Sequence, residues 1–191
     1  MVRAILDGRK SQTRRVFVPP LPFAPDDDIA IELAVGSIVP RHSVGDRMWV
    51  RESWSGPYRM GDIPPRDWAP GLPIWYWADG NPEDGEWTRP RPSIHMPRWA
   101  SRITLEVTGV KVERLQDISE GDARAEGADP VHMQPNGGTG NPSDAWLSYA
   151  AGFRAIWTSI NGPGSWEANP LVVALTFQRL PQPTTSGESD D

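Results

Sequence analysis

Gly8-Arg9-Lys10-Ser11-Gln12-Thr13-Arg14-Arg15 joins a short apolar run to an extended one. Ahead of it, residues 1, 2, 4, 5 and 6 are apolar and Gly8 follows, which reads as one or two helical turns ended by a C-terminal glycine. Beyond it, residues 10–18 read as extended until Pro19-Pro20-Leu21-Pro22 stops them. The first fifteen residues carry Arg3, Arg9, Lys10, Arg14 and Arg15 against Asp7 alone. The rest of the chain leans the other way, with Asp26-Asp27-Asp28 and an acidic end at Glu188–Asp191, and the net charge is −6. That balance argues against tight non-specific binding to nucleic acid and leaves the basic segment as a local feature.

Working outward, residues 19–44 read as a loop with a short strand near Ile29–Val35. Gly45-Asp46 is a turn signal, and Arg47–Ser53 follows as a strand with Met48 and Val50 on one face. A Pro/Gly/Trp-rich block, residues 55–98, has a strand at Ile74–Ala78. The strongest strand is Arg102–Leu115, where Ile103, Leu105 and Val107 alternate and a change of phase at Thr108-Gly109 suggests a bulge. Ser119-Glu120-Gly121-Asp122 fits a capped helix start, running to about Glu126 and stopped by Gly127. Residues 128–142 read as a loop. The main helix starts at Ser143 or Asp144 and runs to about Ile160, with Trp146, Ala150, Phe153, Trp157 and Ile160 on one face. Leu171–Arg179 is the last strand, and residues 181–191 read as a disordered tail.

The chain has 191 residues, 38% of them apolar, with 21 Pro, 18 Gly and 10 Trp. This favours turns and short strands over long helices, and the many Trp side chains must be buried or bind something. One domain is expected over 1–180, with block 55–98 inserted in it. There is no Cys, so disulfides, thiolate metal sites and Cys nucleophiles are excluded. No signal peptide or spanning segment is apparent, so the expectation is a cytoplasmic protein without membrane contact. No cofactor is implied. His42, His95 and His132 are too scattered to suggest a metal site, and none is expected.

Gly8-x-Lys10-x-x-Thr13-x-Arg15 resembles the G-x-K-x-x-[E/T]-x-R signature of ASCH-domain proteins, which are similar to the PUA superfamily of RNA-associated β-barrels. The Gly45-Asp46-Arg47 turn and strand, the Ile103–Val107 strand and the Asp117–Gly127 helix lie in the order the family has. Taken whole, the chain resembles phage- and prophage-encoded members. The resemblance implies an α+β fold, a small PUA-like barrel with two or three packed helices. Relatives have a strand ahead of the first helix, whereas this chain opens on the helix. The expectation is a truncated start or a barrel closed without that strand. Small bacterial amidohydrolases that act on N(4)-acetylcytidine resemble the chain at Lys10, Thr13 and Glu126, which are thereby the catalytic candidates.

Chemistry makes the trio reasonable. A Thr hydroxyl becomes a nucleophile when a base takes its proton, and a Lys amine can be that base once burial or nearby cations lower its pKa. On a regular strand Lys10 and Thr13 face opposite ways, so they converge only through a turn or bulge between them. Glu126 could activate water or protonate the leaving amine, and Arg15 or Lys10 could balance an oxyanion. Arg9 and Arg14 read as surface charge. Further substrate contacts are assigned to Arg51, Trp54, Tyr76, His95, Arg98 and Trp99, since a base extruded from its stack lies well on aromatic rings. Arg51 and Glu52 point to opposite faces of their strand, so at most one of them faces a pocket. The bland alternatives are that the Trp side chains are core and His95 is structural. Trp146 and Trp157 are assigned to the core face of the main helix. The partners expected are a nucleoside or single-stranded nucleic acid. The alternatives are a non-catalytic nucleic-acid-binding module, or a phage protein acting through protein contacts.

Overall fold

A computed structural model describes residues 1–17, 41–83, 85–135 and 144–182. The expected strand at Ile29–Val35, the acidic run at Asp26–Asp28 and most of the expected disordered tail lie outside these residues. The fold is α+β. In chain order the elements are α1 (Val2–Leu6), β1 (Gln12–Val16), β2 (Arg47–Trp49), β3 (Trp54–Ser55), β4 (Trp75–Tyr76), β5 (Thr104–Arg114), α2 (Glu120–Ala125), β6 (Val131–Met133), β7 (Trp146–Ser148), α3 (Tyr149–Asn161) and β8 (Leu171–Arg179). The main sheet has the order β1-β8-β5-β2. β1 lies antiparallel to β8 with Thr13 opposite Leu175, and β2 antiparallel to β5 with Met48 opposite Leu105. Two compact units are distinguished.

The first unit holds Met1, Arg3–Asp46 and Val107–Phe177. Its core gathers Leu115, Ile118, Ala123, Ala128, Phe153, Trp157 and Val172. The two short helices end as their glycines dictate. Gly8 takes φ 72° after α1, and Gly127 takes φ 81° after α2. At α2, Gly127 N–H donates to Arg124 O and Ala128 N–H to Ala123 O, the paired bonds of a Schellman ending. Ser119 Oγ caps its start by accepting from Asp122 N–H at 3.0 Å.

The main helix differs from expectation. Val131–Met133 and Trp146–Ser148 pair as strands, so α3 begins only at Tyr149 and Trp146 sits on β7, 51% exposed. Ser148 caps α3 through Ala151 N–H, and its hydroxyl donates to Glu120 of α2. The other Glu120 oxygen accepts from Tyr149 and Ala150 N–H, which fixes the start of α3 against α2. Along β5, Leu105 and Val107 are buried, Val110 and Val112 are half-buried, and burial returns to odd positions at Glu113 and Leu115.

The second unit holds Val2, Arg47–Glu106 and Gln178–Asp191. Block 55–98 and the residues that flank it build a core here, in which Trp54, Trp68, Met96 and Ala100 pack with Met60, Leu72, Ile74, Tyr76 and Trp99. Trp54 and Trp68 meet edge to face at 5.3 Å. The expected strand at Ile74–Ala78 shortens to Trp75–Tyr76 and turns at Trp77–Asp79. Gly56 lies so close under Trp68 that a Cβ there would stand 2.1 Å from the ring.

Candidate functional site

Lys10 is placed by the backbone around it. Its N–H donates to Ala4 O and the next residue, Ser11, donates to Ala125 O, both at 2.8 Å. Ser11 O then accepts from Phe177 N–H of β8. The segment between α1 and β1 is thus tied to α1, to α2 and to the sheet. Gly127 makes room for it, because a Cβ at that position would lie 3.2 Å from Lys10 Cβ.

The Lys10 side chain is 6% exposed and runs to the end of α2. Its Nζ donates to Glu126 Oε2 at 2.6 Å and to the Glu126 carbonyl oxygen at 2.7 Å. The other Glu126 oxygen accepts from Arg14 Nη1 at 3.2 Å. Arg14 goes on to Glu113 Oε1, with Nε at 2.9 Å and Nη2 at 2.6 Å. Gln12 accepts from Arg14 and donates to Asp122, while Lys111 closes on the second Glu113 oxygen at 2.6 Å. Lys10, Arg14, Glu113 and Glu126 form a buried group of two positive and two negative charges. Burial of this kind is stable only when every charge is paired and hydrogen-bonded. The Lys10 pKa is lowered by burial, with Arg15 and Arg14 adding to the effect and Glu126 opposing it. Asp122 is also lowered: burial opposes, but bonds from Gln12 and Ser119 and the charge of Arg14 outweigh it.

A cavity of about 440 Å³ opens beside this group. Lys10, Thr13, Arg14, Arg15 and Glu126 line one side, and Phe153, Ile156, Trp157 and Ile160 of α3 line an apolar side. All three catalytic candidates therefore border one cavity. Lys10 and Glu126 touch, but no hydrogen bond among the described residues joins Thr13 to either. Trp157, assigned to the core, is both a core residue and part of the cavity wall.

Arg14 corrects the sequence reading. It is 3% exposed rather than a surface charge, and it is the centre of the network. Its partners Glu113 and Gln12, and Lys111 beyond Glu113, are marked by no motif in the sequence, and Asp122 reads there only as part of a helix cap. The one local signal is parity, since Lys10, Gln12 and Arg14 fall on the same side of an extended chain.

The other assigned contacts belong to the second unit, and none lines this cavity. Trp54 is fully buried, so neither ring face is open to a base. Tyr76 donates its hydroxyl to Ala100 O, and its ring lies 4.0 Å beneath the Arg102 guanidinium. Of the pair in question, Glu52 points inward, taking both Arg102 Nε and Nη2 at 2.9 Å, and Arg51 points outward over Trp49. His95 and Arg98 are exposed on short turns, and Trp99 packs on the second core. Among the described residues no group of His, Asp and Glu could hold a metal ion, and no helix is long and apolar enough to cross a membrane. Compared with protein-family models, curated proteins and solved structures, the chain finds no match.

Proposed function

We propose that the chain is an ASCH domain with a PUA-like barrel whose cavity takes an acylated cytidine-type nucleoside and hydrolyses its amide. The observation that carries this is the buried contact of Lys10 with Glu126 at 2.6 Å in the wall of a cavity that Thr13 also borders. Burial lowers the Lys10 pKa from its ordinary value, which eases loss of the proton that Lys10 shares with Glu126 and lets the freed amine act as base toward the Thr13 hydroxyl. The Thr13 oxygen then adds to the amide carbonyl carbon, and the oxyanion is balanced by Arg15 at the cavity wall. The C–N bond breaks as Lys10 returns its proton to the leaving amine. Water activated by Glu126 hydrolyses the acyl-threonine and frees the acid. The apolar wall of α3 suits the acyl group or the base.

The test is turnover of N(4)-acetylcytidine and its larger acyl analogues by wild type, Lys10→Ala and Thr13→Ala. Loss of a base or nucleophile should cost on the order of 10²-fold or more in kcat. Unchanged turnover by a folded Lys10→Ala would remove the mechanism. A second reading is favoured by one detail: both bonds from Lys10 Nζ go to Glu126 and neither to Thr13. In that reading the cavity binds a nucleoside without reaction, and calorimetry would detect binding where the assay detects no product.

A further inference from the structure

Block 55–98 folds a second concavity that has no part in the proposed reaction. Backbone bonds from Tyr58 to Glu86, Thr88 to Gly56 and Arg91 to Trp54 hold residues 54–58 beside residues 86–91. Beside them lies a groove of about 650 Å³, lined among others by Tyr58, Arg59, Asp62, Arg89, Arg91 and His95. Its lining is mainly basic. Arg14 and Arg102 each hold two or more carboxylates, but among the described residues no carboxylate lies within ion-pair distance of Arg59, Arg89 or Arg91. Arg91 spends one donor on Gly61 O at 3.0 Å, and its Nε is buried with no acceptor. Asp62 is the single acidic side chain among the groove's described lining.

Three guanidinium groups with no described carboxylate beside them, one of which also rests on the Trp68 ring, attract a polyanion, and guanidinium forks match phosphate oxygens. Tyr58 adds a second kind of contact. It is 75% exposed, at the lip of the groove, where a bulky ring gains nothing from burial. Exposed rings beside a basic groove suit unpaired bases, which stack without regard to sequence. We propose that this groove binds single-stranded nucleic acid, with phosphates on Arg59, Arg89 and Arg91 and a base on Tyr58. The groove stands independently of the amide hydrolysis proposed for the first unit.

The experiment is fluorescence anisotropy of labelled 12-mers of dT and rU with the full chain at several salt concentrations. Binding should weaken with salt with a log–log slope of about −2, as contacts to roughly three phosphates of a single strand require. Arg59→Ala with Arg89→Ala should weaken it at least tenfold, and Tyr58→Ala about tenfold. A duplex of the same length should bind more weakly, because its bases are not free to stack. The residues changed are exposed or at the rim, and circular dichroism checks that the variants fold. Absence of binding at low salt, binding untouched by the double variant, or equal displacement by polyglutamate would overturn the assignment.

Discussion

At the scale of single residues, Lys10 and Glu126 carry the argument. Glu126→Gln would leave Lys10 and Arg14 in a buried site with one negative charge removed. Breaking a buried pair from one side costs about 3–5 kcal/mol, and urea unfolding should show a loss of that order. The pH dependence has a definite sign. The Lys10 pKa is lower in the folded chain than its ordinary 10.5, so between the two values the unfolded chain holds more protons. The Lys10 contribution to stability is therefore complete above pH 10.5 and falls away as pH drops through the lowered value. Unfolding measured in the alkaline range should show this rise in wild type and not in Lys10→Met. If the amine is the base, kcat/KM should climb with pH and level off below 10.5.

At the scale of elements, glycines set how closely the pieces approach. Within α3, a Cβ at Gly152 would stand 2.0 Å from the Asp129 carbonyl oxygen. Gly152→Ala should therefore destabilise by about 1–3 kcal/mol despite the better helix propensity of Ala, which thermal melting would detect. Gly127→Ala adds left-handed strain of about 1–2 kcal/mol and pushes on Lys10, so kcat should fall together with Tm. These elements also mark where sequence was informative. The glycine stops at Gly8 and Gly127, the Ser119 cap and the last strand, Leu171–Arg179, are local signals, and each lies where expected. The start of α3 was not legible, because the periodic set from Trp146 to Ile160 looks helical throughout. What removes Trp146 from the helix is its pairing with Met133, a contact no local window contains. Arg14 was misread for the same reason, since its carboxylates on Glu113, Asp122 and Glu126 all lie far away in sequence.

At the scale of the whole molecule, the acidic chain keeps its charges in two conditions. Those of Arg14, Glu113 and Glu126 are buried and paired, while those of Arg59 and Arg89 stay exposed with no carboxylate beside them among the described residues. Salt should tell them apart, because screening acts on exposed charges and little on buried ones. A double-mutant cycle of Arg14→Met and Glu113→Gln should give a coupling of about 1–3 kcal/mol that barely changes between 0.05 and 1 M NaCl, to within about 0.5 kcal/mol. Oligonucleotide binding over the same range should collapse. A coupling that vanished at high salt would mean that water reaches the Arg14 pair.

The contrast between the chain's two lysines has a practical side. Lys111 is two-thirds exposed, whereas the Lys10 amine is enclosed and bonded twice to Glu126. A bulky amine-acylating reagent should modify Lys111 in the native protein and reach Lys10 only on unfolding. Peptide mapping of the label then becomes a clock for the opening of one chosen spot. A nucleoside seated in the cavity would slow that clock, giving a readout of occupancy that needs neither turnover nor a chromophore.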